Sequence, residues 1–210
     1  MSYTLYNSNG SGSFIVDSAL IMAGAEFTKI DIDMDSGRHR EAEFAAINPM
    51  KQIPTLVLPG GEIMTETAAI IIYLAQEFPG KGLAPEAGTP EQARFLRWAV
   101  FMSANLYEGV LRVYFTERYT NDESSAGPAG VKAAAQHNLS AACAVLEADL
   151  AQRGPWLSGP RMTLVDVYFT MLQAWYPGMA DTSATPKLTA LAQAVRADAL
   201  IAPILKRHEL

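Results

Sequence analysis

Apolar and polar residues between positions 48 and 78 follow a pattern that predicts two short strands and then a helix. The apolar run that ends at Leu58 suits a strand, the Pro-Gly-Gly after it suits a turn, and Glu62–Met64 suits a short returning strand. The Ala- and Ile-rich run Ala68–Ala75 is long enough for a helix, which the following Pro-Gly pair would end. This order of elements is typical of half of an α/β domain.

The residues before this segment predict further alternating elements. Tyr3–Tyr6 is short and β-prone, and Asn7–Ser13 is a loop by composition. Phe14–Met22 carries apolar residues at mixed helical spacing, whereas Phe27–Ile32 alternates as a strand should. The strongly charged segment Asp35–Glu43 predicts a mobile part of the surface. With the later hairpin and helix, the order is β-α-β-α-β-β-α, which is the thioredoxin-like arrangement.

A Pro- and Gly-rich stretch, residues 80–90, is the best candidate for a linker. It follows the predicted thioredoxin-like domain at residues 1–79, and no strand pattern occurs beyond it. Residues 91–210 instead predict a helical bundle domain. Its predicted helices are Glu91–Arg118, Val131–Gln152, Thr163–Trp175 and Thr185–Ala197. The predicted fold class is therefore α/β plus all-α, in two domains.

Composition excludes several classes of function. Of the 210 residues 50% are apolar, enough for a core, and the formal net charge of −6 argues against nucleic acid as a partner. No apolar run reaches the roughly 18 residues of a membrane span, and the N-terminal residues do not have the pattern of a signal peptide. The single cysteine, Cys143, excludes an internal disulfide and fits a reducing cytoplasm, where we expect the protein.

Two positions in the segment at residues 48–78 are suited to an extended, anionic ligand. The Ile53–Pro54 bond stands at a strand entry, where an X-Pro bond is able to adopt the cis form. A bend there would leave the N–H and C=O groups of Ile53 free to pair with an extended ligand. Thr65-Glu66-Thr67 opens a helix, whose unpaired N–H groups attract a carboxylate. Glu66 is itself able to hold a cation.

These motifs together resemble the cytosolic glutathione transferases. The resemblance lies in Asn-Pro-x-x-x-Ile-Pro from Asn48, a hairpin, Thr-Glu-Thr-Ala-Ala-Ile from Thr65, and a helix with Tyr-Leu. In the second half, Thr163-x-x-Asp166 resembles the helix-capping segment of that family's α-domain. A threonine and an acid at this spacing form a capping box, so their implied role is in folding. The resemblance covers nearly the whole chain.

The resemblance implies a glutathione site with no metal. The residue before the cis-proline, Ile53, would pair with the cysteinyl backbone of glutathione, and Glu66–Thr67 would hold its γ-glutamyl end. The two residues before Ile53 are candidates to contact the glycine carboxylate. The candidate glutathione-contacting residues are Lys51, Gln52, Ile53, Pro54, Glu66 and Thr67.

Glutathione conjugation needs a thiolate, which a donor in the loop after the first strand would stabilise. Lowering a thiol pKa near 8.5 by about two units takes about 2.7 kcal/mol, within reach of one or two hydrogen bonds to a charged sulfur. The family uses tyrosine, serine or cysteine as the donor, and the matching positions here hold Asn7, Asn9 and Gly12. None of these fits cleanly, so the nearest hydroxyls, Ser11 and Ser13, are level candidates ahead of Asn9. The alternative is a flexible turn without chemistry.

The lack of a cysteine in that loop disfavours thioltransferase chemistry. Cys143 lies on an apolar helix face, which is typical of a core residue. The electrophile pocket would lie between the donor loop and the long predicted helix, where Trp98 is expected in the core. The candidate substrate-binding residues are Met102, Asn105, Tyr107 and Tyr114. Tyr107 is in addition a candidate donor to glutathione.

The three histidines lack the spacing of metal ligands. His137 and His208 are predicted at the surface. His39 lies in the segment before the predicted glutathione site, and this position weakly suggests a role there.

The sequence therefore predicts a glutathione transferase that activates glutathione as a thiolate for attack on small hydrophobic electrophiles. The resemblance also implies a homodimer. The alternative is a non-catalytic glutathione-binding or partner-binding protein on the same fold. Glutathione-dependent peroxidase or isomerase activity is a third hypothesis, which the sequence does not separate from conjugation.

Overall fold

The structure, a computed structural model, describes residues 2–179 and 183–210. The chain forms two compact units. One unit consists of Met1–Glu86 and Arg196–Leu210, and the other of Ala87–Val195.

The first unit begins with the predicted order of strands and helices. The elements are β1 (Tyr3–Asn7), α1 (Ser13–Ala23), β2 (Phe27–Asp31), α2 (Ala42–Ile47), β3 (Thr55–Val57), β4 (Ile63–Met64) and α3 (Thr67–Glu77). The sheet order is β2-β1-β3-β4, with β1 and β2 parallel and the other neighbouring pairs antiparallel. This is the thioredoxin-like arrangement, as predicted. The segment Asp35–Glu43, predicted as mobile surface, contains a 3₁₀ turn at Arg38–Arg40 and the start of α2.

Alternation along β1 determines which of its side chains enter the core. Tyr3, Leu5 and Asn7 are buried, whereas the residues between them are half-buried. Leu5 lies opposite Leu56 of β3, and both side chains are fully buried. Each such burial of a large apolar side chain stabilises the fold by roughly 1.5–3 kcal/mol. The buried position of Asn7 places a polar side chain at the end of β1, next to the donor loop.

The remaining elements are helical. They are α4 (Pro90–Phe101), a π-helical segment (Met102–Tyr107), α5 (Glu108–Tyr114), a 3₁₀ turn (Thr116–Tyr119), α6 (Ala126–Arg153), α7 (Leu164–Trp175), a 3₁₀ turn (Pro177–Met179), α8 (Pro186–Ala197) and α9 (Ile201–His208). The single helix predicted for Glu91–Arg118 is thus interrupted by π-helical geometry and ends earlier. The helix predicted from Val131 begins at Ala126, and α9 was not predicted at all.

Two helices of the second unit begin at side-chain caps. The hydroxyl of Thr89 accepts a hydrogen bond from the backbone N–H of Gln92 at 3.2 Å, ahead of a proline in the first turn of α4. At α7 the predicted capping box is present, with the N–H of Thr163 donating to Asp166 Oδ2 at 2.7 Å. Asp166 Oδ1 also accepts from the N–H of Leu157 at 2.8 Å, so this carboxylate joins the preceding loop to the helix.

The last residues of the chain fold within the first unit. The sequence grouped residues 91–210 in one helical domain, whereas Arg196–Leu210 belongs to the unit that contains the sheet. Polar contacts account for this, because Asp17 on α1 binds the side chains of both Arg207 and His208.

Across residues 2–179 and 183–210, no single helix is long and apolar enough to cross a membrane. In these ranges only α8 and α9 together reach that length and apolar composition, and they meet at a bend of 94°.

Candidate functional site

The N-terminus of α3 presents free backbone donors. Glu66 stands at its N-cap with a φ of 65°, in a region that non-glycine residues rarely adopt. Within the described residues no side chain caps this helix end. Thr67 is buried at the first position of the helix, whereas the side chain of Glu66 is exposed. The free N–H groups and the helix dipole make this end favourable for an anion, and the exposed carboxylate beside them suits a cation.

A loop with one residue in the left-handed region precedes β3. The Ile53–Pro54 bond is cis, as the sequence suggested, and Lys51 has a φ of 57°. Buried Asn48 stabilises the loop, because its Nδ2 donates to the carbonyl of Gln52 at 2.9 Å and to Thr55 Oγ1 at 3.0 Å. The exposed side chains of Lys51 and Gln52 remain at the surface. The sequence contained Asn48 in its motif but gave no sign of this supporting role.

The backbone of Ile53 is available for pairing. Its side chain is buried, and in the described part of the chain neither its N–H nor its C=O has a hydrogen-bond partner. A backbone donor and acceptor on one residue next to a cis-proline are suited to an extended peptide-like ligand.

Ser13 is a structural residue of the donor loop. Its side chain is 0% exposed, and its Oγ lies 2.7 Å from Asn7 Oδ1 and 2.9 Å from the carbonyl of Ser8. The same oxygen accepts from the N–H of Ser8 at 3.2 Å. A fully buried hydroxyl with its single hydrogen already engaged cannot reach a ligand. The expectation that ranked Ser13 level with Ser11 as the donor is therefore corrected.

Ser11 and Asn9, the other two candidate donors of this loop, are more accessible than Ser13. Ser11 is half-buried, and its Oγ donates to the carbonyl of Ser8 at 2.7 Å and lies 2.9 Å from Ser13 Oγ. Asn9 is exposed, and its Oδ1 accepts a hydrogen bond from Asn7 Nδ2 at 3.2 Å. This bond does not use the amide hydrogens of Asn9. Of the three predicted candidates, the Ser11 hydroxyl and the Asn9 amide therefore remain as possible donors to a ligand.

The candidate electrophile-binding residues occupy the π-helical segment and α5 of the second unit. Met102 is 0% exposed and therefore belongs to the core, which corrects its expected role, and Trp98 is in the core as predicted. Asn105 is exposed at the surface. The ring of Tyr107 packs edge-on against Trp175 at 5.0 Å. π-helical turns often occur at functional sites, so their presence here is consistent with the predicted role of Asn105 and Tyr107 in binding.

Tyr114 is the exposed aromatic residue among these candidates. It is 55% exposed, and its hydroxyl donates to the carbonyl of Trp175 at 3.0 Å. Its ring also lies 6.5 Å from that of Tyr176. Tyr114 and Tyr176 thus place two neighbouring aromatic rings in this part of the second unit. A role for Tyr114 in binding the electrophile stays a prediction.

The histidines and the cysteine have distinct environments. His137 is exposed, as predicted, but His208 is fully buried and binds Asp17, so its predicted surface position is wrong. His39 is largely buried and accepts from Arg40 Nε at 3.2 Å. Cys143 is buried in the core of the second unit as expected, and burial raises its pKa to about 12, so its thiol is unreactive at neutral pH.

Comparisons with known proteins agree on one family. The family described as Glutathione S-transferase, N-terminal domain, matches residues 1–76. The Uncharacterized GST-like protein YncG of Escherichia coli K12 is 31% identical over 98% of either chain. Glutathione S-transferase GstA of Escherichia coli O157:H7 is 26% identical over 81% of either chain. A solved glutathione transferase homolog from Sulfitobacter with bound glutathione has a TM-score of 0.86 and 25% identity, over 100% of this chain and 99% of that chain.

Proposed function

The chain belongs to the cytosolic glutathione transferase family, and from that premise we propose that it binds glutathione and activates it as a thiolate for attack on small hydrophobic electrophiles. The observation that carries this proposal is that the first unit has two sets of backbone groups without hydrogen-bond partners among the described residues. These are the N–H and C=O of Ile53 beside its cis-proline, and the uncapped N-terminus of α3. One suits a peptide backbone and the other suits a carboxylate.

In this proposal glutathione lies extended along the loop and the helix start. The cysteinyl backbone pairs with Ile53, and the γ-glutamyl carboxylate binds at Thr67 while its ammonium binds Glu66. Lys51 and Gln52, both exposed, contact the glycine carboxylate. The Sulfitobacter relative with bound glutathione supports this choice of ligand.

We propose Ser11 as the thiolate donor, with Asn9 as the next candidate. Both belong to the loop that ends at the N-terminus of α1, where the helix dipole favours an anion. The Ser11 hydroxyl now donates to the carbonyl of Ser8, and a rotation about one bond would direct it to a sulfur instead. A hydrogen bond to a charged acceptor contributes about 1.5–3 kcal/mol, which suffices to ionise most of the thiol at neutral pH.

The second candidate function is glutathione binding without catalysis. One observation favours it, because the hydroxyls of both candidate serines, Ser11 and Ser13, are hydrogen-bonded within the protein. A thiolate titration of bound glutathione separates the two. Transferase activity requires that the thiol ionises near or below neutral pH, whereas a simple binding protein would leave its pKa near 8.5. Conjugation of a generic aryl halide then tests catalysis itself.

We further propose that the electrophile contacts Asn105, Tyr107 and Tyr114, and that the protein is a homodimer in the cytoplasm. Exposed apolar side chains of α4 and α6, Val100 and Val145, support a partner surface on the second unit. Sedimentation at micromolar concentration tests the dimer, and a monomer near 22.7 kDa would contradict it.

A further inference from the structure

A buried carboxylate on α1 binds the end of α9, and none of its side-chain partners is a residue assigned to glutathione. Asp17 is 1% exposed, and its Oδ2 accepts from Arg207 Nη2 at 2.8 Å. The same oxygen lies 3.0 Å from His208 Nε2 and 3.4 Å from Lys29 Nζ. Burial alone would raise the pKa of Asp17, but the hydrogen bonds from His208 and Arg207 and the charge of Lys29 lower it to about 2. The carboxylate is therefore ionised at neutral pH.

This cluster is more polar than the anchoring of a helix requires. Replacing buried ionic groups by apolar ones of the same shape is often neutral or stabilising. Within the described residues, Asp17 Oδ1 and His208 Nδ1 are also buried without a hydrogen-bond partner, which adds a cost. A buried ion pair that does not maximise stability is consistent with a role in fixing one geometry.

The cluster is connected to the donor loop through α1. Asp17 follows Ser13 by four residues, so the two side chains lie one above the other on the same face of α1. Ser13 in turn holds Asn7 and Ser8 through its hydroxyl. A shift of the first turn of α1 would thus move the loop that carries Ser11.

His208 also contacts this region directly. Its ring packs edge-on against Phe14, the second residue of α1, with the ring centroids 5.5 Å apart. Its backbone carbonyl lies beside the loop, since a Cβ added to Gly10 would be 3.6 Å from that oxygen. The end of α9 therefore touches both the loop and the helix that the loop enters.

We propose that Arg207 and His208 are positioning residues for the glutathione thiolate. By binding Asp17 they fix the first turn of α1, and the first turn fixes the donor loop. This inference rests on the proposed function, because it assigns the loop to the thiolate. A displacement of about 1 Å at a reacting group is able to cost about a hundredfold in rate, so a small loosening of the loop has a measurable effect.

The test compares two substitutions at one position. His208→Gln keeps a donor near the position of Nε2, whereas His208→Leu removes the donor and keeps an apolar side chain. Asp166→Asn serves as the control, since it weakens a buried capping network in the second unit. For each variant the measurements are the pKa of the bound glutathione thiol, kcat and KM for glutathione, and amide hydrogen exchange over Asn9–Ser13.

We expect His208→Leu to lower kcat about tenfold, to raise the thiol pKa and to speed exchange in the loop, with KM changed less than kcat. His208→Gln should stay within about threefold of the wild type, and Asp166→Asn should leave the thiol pKa and the loop exchange unchanged. If His208→Leu matches Asp166→Asn in all three measurements, the cluster only stabilises the fold and the inference is overturned.

A second variant and a second readout keep the test decisive. If His208→Leu does not fold, Arg207→Gln replaces it, because the Arg207 side chain is 41% exposed and its loss creates no buried cavity. Arg207→Gln should shift the same measurements in the same direction, and no shift overturns the inference. If the wild type binds no glutathione, the proposed function fails, whereas loop exchange still reports on the contact between α9 and α1.

Discussion

Ser11 and Ser13 of the donor loop should respond differently to substitution by alanine. Ser13→Ala removes a buried hydroxyl and leaves Asn7 Oδ1 and the N–H of Ser8 with one partner fewer. A buried polar group that loses its partner costs about 1–3 kcal/mol. We expect Ser13→Ala to lower the free energy of unfolding by about 2–3 kcal/mol, with any change in the bound thiol arising only from a displaced loop.

Ser11→Ala should change the chemistry more than the fold. Its hydroxyl is half-buried and its bond to the carbonyl of Ser8 is replaceable by water, so the expected loss of stability is below about 1 kcal/mol. Losing one hydrogen bond to a thiolate costs about 1.5–3 kcal/mol, which raises the pKa of bound glutathione by roughly one to two units.

The assay is a thiolate absorbance titration at saturating glutathione, paired with urea unfolding of the same samples. The titration reports the loss of a hydrogen-bond donor to the thiolate, and the urea unfolding reports a loss of stability in the loop. Two outcomes would refute the reasoning. In one, Ser11→Ala leaves the titration unchanged; in the other, Ser13→Ala shifts it as far as Ser11→Ala with no loss of stability.

Three further predictions concern the scaffold. Asp166→Asn should cost about 2–4 kcal/mol in urea unfolding, because an amide nitrogen would face a backbone donor. Asp149 is half-buried and pairs with the exposed Arg153, so Asp149→Asn should cost under about 1 kcal/mol. Asp17 has a folded pKa of about 2 against 3.8 unfolded, so it contributes a stabilisation of roughly 2 kcal/mol that is present above pH 4 and is lost as the pH falls towards 2. Asp17→Asn should lack this dependence, and equal acid profiles of the variant and the wild type would contradict it. The Cys143 thiol should react with a thiol reagent only after unfolding, and rapid labelling of the native protein would show that its burial is wrong.

Local signals in the sequence predicted the order of strands and helices in the N-terminal part of the chain. The Pro-Gly-Gly turn and the alternating strands set the order of elements, and the Ile53–Pro54 bond is cis where an X-Pro bond was expected to allow it. The capping box of Thr163 and Asp166 followed from a three-residue spacing, which is a property of the chain alone. Each of these features depends on neighbours in the sequence.

Features that depend on distant residues were missed. His208 is polar and lies near the chain end, so the sequence placed it at the surface, but its partner Asp17 is 191 positions away. Ser13 and Ser11 have the same side chain, and only the fold shows that one is buried against Asn7. The π-helical segment is likewise invisible in a run that reads as continuous helix. Tertiary burial decided the environments of His208 and Ser13.

The central claim, a glutathione site at Ile53 and the start of α3, is tested most directly by calorimetric titration of a double variant, Glu66→Ala with Thr67→Ala, against glutathione. The matched control is Glu26→Ala with Thr28→Ala, which changes two exposed side chains on and just before the edge strand β2. Two hydrogen bonds to charged groups contribute about 3–6 kcal/mol together, so the double variant should bind at least a hundredfold more weakly with unchanged helix content. The control should bind within about threefold of the wild type. Equal affinity of the double variant and the wild type would contradict the account.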